Sequence, residues 1–415
     1  LKEAARLMRA RQDELARTVT LESGKPLAEA RGEVGVAAHF LEWNAEEGRR
    51  AYGRTIPSPA PDRRYLTVVQ PVGVVAAITP WNFPALMVTR KVGAALAAGC
   101  TVVLRPAPTT PLTALAIGEI LTAAGLPEHV LEIVTNGDSA GAGRVLAQHS
   151  LISKITFTGS TAVGVSLAEL AAVGLKRVSM ELGGHAPFVV FPDADLDAVA
   201  DAVIASRYRN GGQSCISTNR LFLHNDVARP VLDDLTERVA ALRVGDGLDP
   251  QTRIGPLIDE AAVQRLLGLQ RDAVERGATT LVGGGRAHPD GLPGTFFQPT
   301  VVTDVAPQAR MLHEETFGPL LSVTRFRDED EVLGYANATK YGLAAYVFTT
   351  DLGRALRMTE RLDFGVVGVN DPAPSAACLP SGGVKMSGVG RECGSDGLLA
   401  FTETKAVSLG LPAAG

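Results

Sequence analysis

Cys215 stands in Asn210-Gly211-Gly212-Gln213-Ser214-Cys215, a glycine-containing loop after a helical stretch, where the backbone can bend closely round a bound group. A lone cysteine reads either as a small core hydrophobe or as a nucleophile. In the second case it needs a lowered pKa and a partner to handle protons. Glu181, in Ser179-Met180-Glu181-Leu182-Gly183-Gly184, is an acid at the end of a strand beside two glycines. It is either an exposed loop acid or a partly buried carboxylate tuned toward a general base. Asn82, in Pro80-Trp81-Asn82-Phe83-Pro84, follows an apolar strand and is either a turn residue or an amide that donates to an oxyanion.

A strand-to-helix turn can hold a phosphate on backbone N–H groups and a helix N-terminus. The standard G-x-G-x-x-G pattern is absent after a strand. Gly141-Ala142-Gly143 follows a polar loop and reads as the start of a helix. Phe157-Thr158-Gly159-Ser160-Thr161-Ala162-Val163-Gly164 follows the strand KITFT and opens a helix, with wider spacing than the standard pattern. Gly159 and Ser160 there are a turn and an N-cap, or a phosphate cradle.

These residues sit among elements that alternate. From Gly73 onward short apolar runs (GVVAAIT, TVVLRP, VLEIV, KITFT) alternate with helices near 84–98, 111–124 and 139–148. That predicts a parallel sheet covered on both faces, a doubly wound α/β unit. A second series after Glu181 predicts another α/β domain: PFVVF, a helix near 195–208, RLFLH, helices near 226–241 and 259–276, TTLVGG, and a strand and helix near 343–361. The first 48 residues predict two helices broken at Ser23-Gly24-Lys25-Pro26, with Pro26 in a first turn. A Pro-rich excursion leads into Tyr65-Leu66-Thr67-Val68-Val69, and Ala406-Val407-Ser408-Leu409 predicts a short last strand in need of a partner.

The chain has 415 residues, 46% apolar and 20% charged, which excludes disorder and asks for more than one domain. Its 40 basic and 45 acidic residues are mixed along the length, net −5, so nucleic acid is not an expected partner. No apolar run is long enough to span a bilayer, and no membrane role is expected. Cys100, Cys215, Cys378 and Cys393 are too few for a disulfide scaffold and fit a reducing, cytoplasmic setting. The seven histidines are scattered, so no metal site is expected. Leu1 already stands inside a helical pattern, which predicts residues before it.

Five motifs in this order resemble those of the aldehyde dehydrogenase superfamily: Pro80-Trp81-Asn82-Phe83-Pro84, Phe157-Thr158-Gly159-Ser160-Thr161, Glu181-Leu182-Gly183-Gly184, Gly212-Gln213-Ser214-Cys215 and Glu315-Thr316-Phe317-Gly318-Pro319. The resemblance spans essentially the whole chain, and the separation of 34 positions from Glu181 to Cys215 agrees with it. Gly255-Pro256-Leu257-Ile258-Asp259-Glu260, Phe296-Phe297-Gln298-Pro299-Thr300 and Val367-Gly368-Val369-Asn370 look like the succinate-semialdehyde dehydrogenase branch.

The resemblance implies a Rossmann-type cofactor domain over 1–48 and 71–181, with 371–397 returning to it, and a catalytic α/β domain over 182–370. It also implies a small oligomerisation sheet from 49–70 and 398–415 and hence a homodimer or homotetramer. By the same resemblance Cys215 attacks the aldehyde, Asn82 and the Cys215 N–H hold the oxyanion, Glu181 activates water, and Lys91 and Glu392 stand near the proton route. The implied cofactor is NAD or NADP. Gly159 and Ser160 fall at its pyrophosphate turn, Glu315 and Phe317 at its nicotinamide ribose and ring, and Ile78, Pro80 and Trp81 in its cleft, with Thr158, Val163 and Leu182 also among its contacts. Where relatives for apolar aldehydes carry aromatic residues, this chain has Arg90, Arg209 and Ser375, which make a carboxylate clamp and point to succinate semialdehyde, then glutarate semialdehyde.

Four departures qualify the pattern. Arg105-Pro106-Ala107-Pro108 replaces a Lys-Pro-Ala run whose next residue senses the adenine ribose. Pro108 can neither repel a 2′-phosphate nor accept from a ribose hydroxyl, and Arg105 leans toward NADP. Ser381 stands where Phe is general and should leave the substrate opening wider or wetter; Cys393 stands where Gly is common. Ser217 takes the place of a second cysteine found in some relatives, which excludes a redox switch through that position. A binding protein that kept the fold and a thiol esterase are the rival readings. The first would be expected to lose Cys215, Glu181 or Asn82, and the second leaves the phosphate turn and the Glu315 motif without a purpose.

Overall fold

Alternate residues of the strand Val74–Ile78 feed two separate cores. Val75 and Ala77 pack with Val102 and Leu104 against the N-terminal helices and the helices Pro84–Ala97 and Pro111–Ala123, whereas Ala76 and Ile78 pack with Ile155, Phe157, Leu167 and Ala171 on the other side. Small and β-branched side chains on both faces are what a sheet sandwiched between helices requires. This is the doubly wound unit expected from the sequence. The computed structural model describes residues 1–412.

The strands of that sheet run in the order Gly388–Val389, Arg177–Glu181, Ile152–Thr158, Val74–Ile78, Thr101–Arg105, Leu131–Ile133. All neighbours are parallel except Gly388–Val389, which runs antiparallel to Arg177–Glu181. A second sheet has the order Thr279–Val282, Thr300–Thr303, Leu320–Phe326, Thr218–His224, Ala186–Val190, Ala344–Phe348, Val366–Val369, again parallel except at its first pair. A third, antiparallel sheet joins Thr55–Ile56, Arg63–Pro71 and Thr402–Gly410.

Three expectations need correction. Residues before 48 form three helices, Lys2–Ala10, Gln12–Ser23 and Leu27–Glu47, because Arg11 leaves the helical region at φ −106°, ψ 21°. No glycine or proline marks that kink. The larger break is where the sequence put it: Gly24 takes φ 76° and ends the second helix, while Pro26 lies just before the third, extended at ψ 136°, rather than inside its first turn. The last strand is longer than Ala406–Leu409 and has its partner within the chain, with Thr402 opposite Pro71 through to Gly410 opposite Arg63. Its first four residues, Thr402-Glu403-Thr404-Lys405, are all polar and hid its length. Residues 413–415 of the expected oligomerisation segment lie outside the described residues. Among the described residues no helix is long and apolar enough to cross a membrane.

Candidate active site

The helix Leu196–Arg207 is followed by a tight reversal in which Asn210, Gly211 and Gly212 all take positive φ, 53°, 59° and 71°. A Cβ on Gly212 would collide with the Gly318 carbonyl, so glycine is required by space as well as by conformation. The reversal delivers Cys215 against Gly184, whose own missing side chain makes room for the Cys215 carbonyl. Burial, with Glu315 and Glu181 adding to it and Arg90 opposing, pushes the Cys215 thiol up to about 12. This corrects the expectation of a lowered pKa: at neutral pH the thiol carries its proton and must hand it to a base before it can attack.

Glu181 ends the strand Arg177–Glu181 and is 5% exposed, which rules out a solvated loop acid. Its Oε1 has no hydrogen-bond partner. Burial first, and the Glu392 carboxylate second, raise its pKa to about 8, while Arg90 and Lys91 work the other way. An acceptor with one free oxygen and a pKa near neutrality is suited to take a proton.

Behind it lies a buried cluster. Lys91, from the helix Pro84–Ala97, forms an ion pair with Glu392, and the Thr156 hydroxyl lies 3.2 Å from Lys91 Nζ and 3.3 Å from Glu392 Oε1. Burial opposes the charge on Glu392, but Lys91 and Arg90 outweigh it and hold the carboxylate ionised.

Asn82 is 4% exposed; its Nδ2 donates to the Gln213 carbonyl at 3.0 Å and its Oδ1 is unpartnered. One N–H of the amide is thereby fixed and the other remains to be offered.

A cleft of about 880 Å³ brings together Pro80, Trp81, Asn82, Thr158, Gly159, Ser160, Leu182, Glu315, Phe317 and Cys215. Trp81 meets Phe317 edge to face at 5.7 Å. Ser160 precedes the helix Thr161–Ala172 without capping it by its side chain, which leaves first-turn N–H groups open. Gly159 has no room for a Cβ beside the Phe157 ring. Gly141, by contrast, is inside the helix Ser139–Gln148, and its N–H is taken by the Asp138 cap at 2.8 Å. Ile78 is buried beside Arg105 in the paired strands, Pro108 and Val163 are exposed, and none of these four lines the cleft itself. Arg105 donates to Ser139 and keeps an unpartnered Nε.

A second cavity of about 500 Å³ reaches Cys215 from the other side and shares Met87 with the first. Arg90, Arg209, Ser375 and Ser381 line it among Phe83, Leu86, Ile216 and Val366. Arg209 lies over the Phe83 ring at 5.4 Å.

Sequence reasoning missed the residues that hold these loops in place. Lys25 is buried, paired with Glu33, and donates to the Asn82 carbonyl at 2.9 Å. Glu33 Oε1 accepts the N–H of Ala85 at 2.8 Å and of Leu86 at 3.2 Å, capping the helix that follows Asn82. Glu29 accepts the Asn210 N–H at 2.6 Å, and Arg265 donates to the carbonyls of Glu315 at 3.0 Å and Phe317 at 3.2 Å. Each is a charged residue in or beside a helix that reads as solvent-facing; only the burial of its partner reveals it.

The aldehyde dehydrogenase family profile matches residues 1–407. A succinate-semialdehyde dehydrogenase (NADP(+)) of Escherichia coli K12 is 50% identical over 405 residues, covering 98% of this chain and 83% of that protein. A glutarate-semialdehyde dehydrogenase of Pseudomonas aeruginosa is 48% identical over 404 residues, covering 97% and 83%. A crystal structure of an Escherichia coli NADP-dependent enzyme superposes with a TM-score of 0.96 at 48% identity, over 99% of this chain and 84% of that one. The family profile, the half-identical sequence and the common fold each extend over nearly all of this chain, and the chain belongs to the aldehyde dehydrogenase family.

Proposed function

We propose that the chain is an NAD(P)-dependent dehydrogenase that oxidises a short aldehyde bearing a distal carboxylate, succinate semialdehyde first and glutarate semialdehyde second, to the free acid. The observation that carries this reading is that two cavities of different chemistry meet at one thiol: a cleft with open N–H groups at a helix start, and a pocket with two guanidiniums and three serine hydroxyls. The relatives named for succinate- and glutarate-semialdehyde oxidation support the same substrates.

The cleft fits a dinucleotide. The Thr158 Oγ1 that lines it is a buried polar atom without a protein partner, and the Thr161–Ala172 N-terminus is open to a phosphate. Gly159 and Ser160 would hold the pyrophosphate, Glu315 the ribose, and Trp81, Phe317 and Leu182 the ring. Such a dinucleotide, when bound, supplies the acceptor for the hydride of the Cys215-bound aldehyde carbon. The chain's own residues do the rest. Cys215 Sγ gives up its proton toward Glu181 and bonds to the aldehyde carbon, and the resulting oxyanion takes the free N–H of Asn82 and the Cys215 N–H. Glu181 releases the thiol proton to solvent, and once that carbon is at the thioester level it draws a proton from water; the hydroxide adds to the carbonyl, Cys215 leaves as the thiolate, and the proton on Glu181 returns to it. A base in that role contributes about 10² to 10⁴ in rate. A carboxylate able to activate water favours hydrolysis over passage of the acyl group to coenzyme A. Arg90, Arg209 and Ser375 bind the distal carboxylate, with Arg providing bidentate geometry.

We divide the chain in the same way, with the three sheets in support: 1–48 and 71–181 with 371–397 bind the cofactor, 182–370 carries the thiol, and 49–70 with 398–415 joins subunits of a homodimer or homotetramer. The test is absorbance at 340 nm with succinate semialdehyde, glutarate semialdehyde and propanal, each with NAD and NADP. Turnover is expected without coenzyme A and with kcat/KM highest for a carboxylated aldehyde. A coenzyme A requirement, or equal kcat/KM for propanal, would overturn the reading.

A further inference from the structure

Cys393 follows Glu392 at the start of the short helix Gly394–Leu399, with φ 63° and ψ 172°. Glycine occupies that region freely; any other residue is held there only by its surroundings. The side chain is 8% exposed, and its Sγ accepts two N–H groups from Arg90, Nε at 3.0 Å and Nη2 at 2.8 Å. Arg90 Nε is also 3.4 Å from Glu392 Oε2, and the Phe40 ring lies 5.6 Å from the guanidinium carbon. One edge of the guanidinium is therefore fixed, while Nη1 makes no hydrogen bond among the described residues. Arg90 lines the cavity that ends at Cys215; Cys393 does not.

We infer that Cys393 is a positioning residue for substrate specificity: its sulfur docks the Nε/Nη2 edge of Arg90 and so presents the remaining N–H groups to the carboxylate of the aldehyde. The inference rests on the reading of Arg90 as part of the carboxylate clamp. Sulfur suits the task because it is a weak, uncharged acceptor that orients a guanidinium without cancelling its charge. A carboxylate at the same place would neutralise Arg90 and repel the substrate. Glu392, the acid at hand, pairs with Lys91 through Oε1 and stands 3.4 Å from Arg90 Nε through Oε2, so its charge is divided between the two cations rather than spent on Arg90. An arginine held in one orientation beforehand gives up less freedom when the substrate arrives.

Three variants test this, each assayed with succinate semialdehyde and with propanal. Cys393→Gly removes the sulfur and relieves the backbone, Cys393→Ser keeps an acceptor, and Arg90→Leu removes the docked group. Cys393→Gly is expected to raise KM for succinate semialdehyde about fivefold to tenfold. Its kcat should stay within about twofold, its KM for propanal unchanged and its Tm no lower, and Cys393→Ser should recover most of the loss. If Arg90→Leu raises KM for succinate semialdehyde and Cys393→Gly does not, docking by Cys393 is refuted and the clamp stands. If Cys393→Gly impairs both aldehydes equally, its role is structural and the inference is overturned. If Arg90→Leu leaves succinate semialdehyde untouched, the clamp itself fails and the inference goes with it.

Discussion

Lys25 Nζ reaches the backbone carbonyl of Asn82, 2.9 Å away, from a break between helices far upstream, and its charge is balanced by Glu33 in the next helix. The amide proposed to steady an oxyanion is thus placed by a buried ion pair that never touches substrate. Removing one member of such a pair leaves an uncompensated buried charge and typically costs about 3–5 kcal/mol. Lys25→Met should lower unfolding free energy by about that much in a denaturant titration and reduce kcat more than KM. Adding Glu33→Gln should recover part of the stability, since the stranded carboxylate disappears with it.

The Glu181 carboxyl gives two pH dependences of opposite sign. Burial and then Glu392 raise its pKa from the ordinary value near 4.5 to about 8. As a base it works only when deprotonated, so kcat should rise with pH through about 8 and level off above it. For stability the folded state holds the proton more tightly than the unfolded chain, so the contribution of this group is present at and below about 4.5 and is lost as pH rises to about 8. Glu181→Gln should abolish the rise in kcat and, above pH 8, unfold at a higher temperature than the parent, with the gap closing toward pH 4.5.

Arg209→Leu tests the clamp at a residue not tied to Cys393. A hydrogen bond between charged groups contributes about 1.5–3 kcal/mol, so KM for succinate semialdehyde should rise roughly tenfold to a hundredfold. Propanal has no carboxylate to lose, and its KM should hold. An equal rise for both aldehydes would mean that Arg209 merely supports Phe83.

Pro108 is exposed three residues beyond the strand Thr101–Arg105, and on the proposed reading it stands by the adenine ribose, where a carboxylate would repel a 2′-phosphate. Pro108→Glu should lower the NADP to NAD ratio of kcat/KM by about tenfold, the size expected when one unfavourable charge is added at a partly solvated site. A strong preference of the parent protein for NAD would show that neither Pro108 nor Arg105 decides the choice.

What could be read from sequence follows the range of the interactions involved. The strands Val74–Ile78 and Ala186–Val190 announce themselves because both faces are apolar, and the turn at Asn210 to Gly212 because positive φ demands small residues. The kink at Arg11 carries no such signature, and Thr402–Gly410 begins with four consecutive polar residues that conceal its length. Within the site, Cys215, Glu181 and Asn82 were visible through their motifs, but the raised thiol pKa was not, since it comes from burial and from Glu315, far away in sequence. Lys25, Glu33, Glu29 and Arg265 escaped for the same reason. A charged residue in a helix looks solvated until its partner, tens or hundreds of positions distant, is known.

Two sheets formed early in the chain receive an edge strand from its far end: Gly388–Val389 beside Arg177–Glu181, and Thr402–Gly410 beside Arg63–Pro71. During synthesis, therefore, neither sheet closes when its first strands emerge from the ribosome. Lys91 likewise waits for Glu392 as its counter-ion, so a partly made chain holds a cation that its folded form would bury unpaired. Nascent chains carry open β edges and an unneutralised lysine until late in translation, the period in which a holdase chaperone would have most to shield.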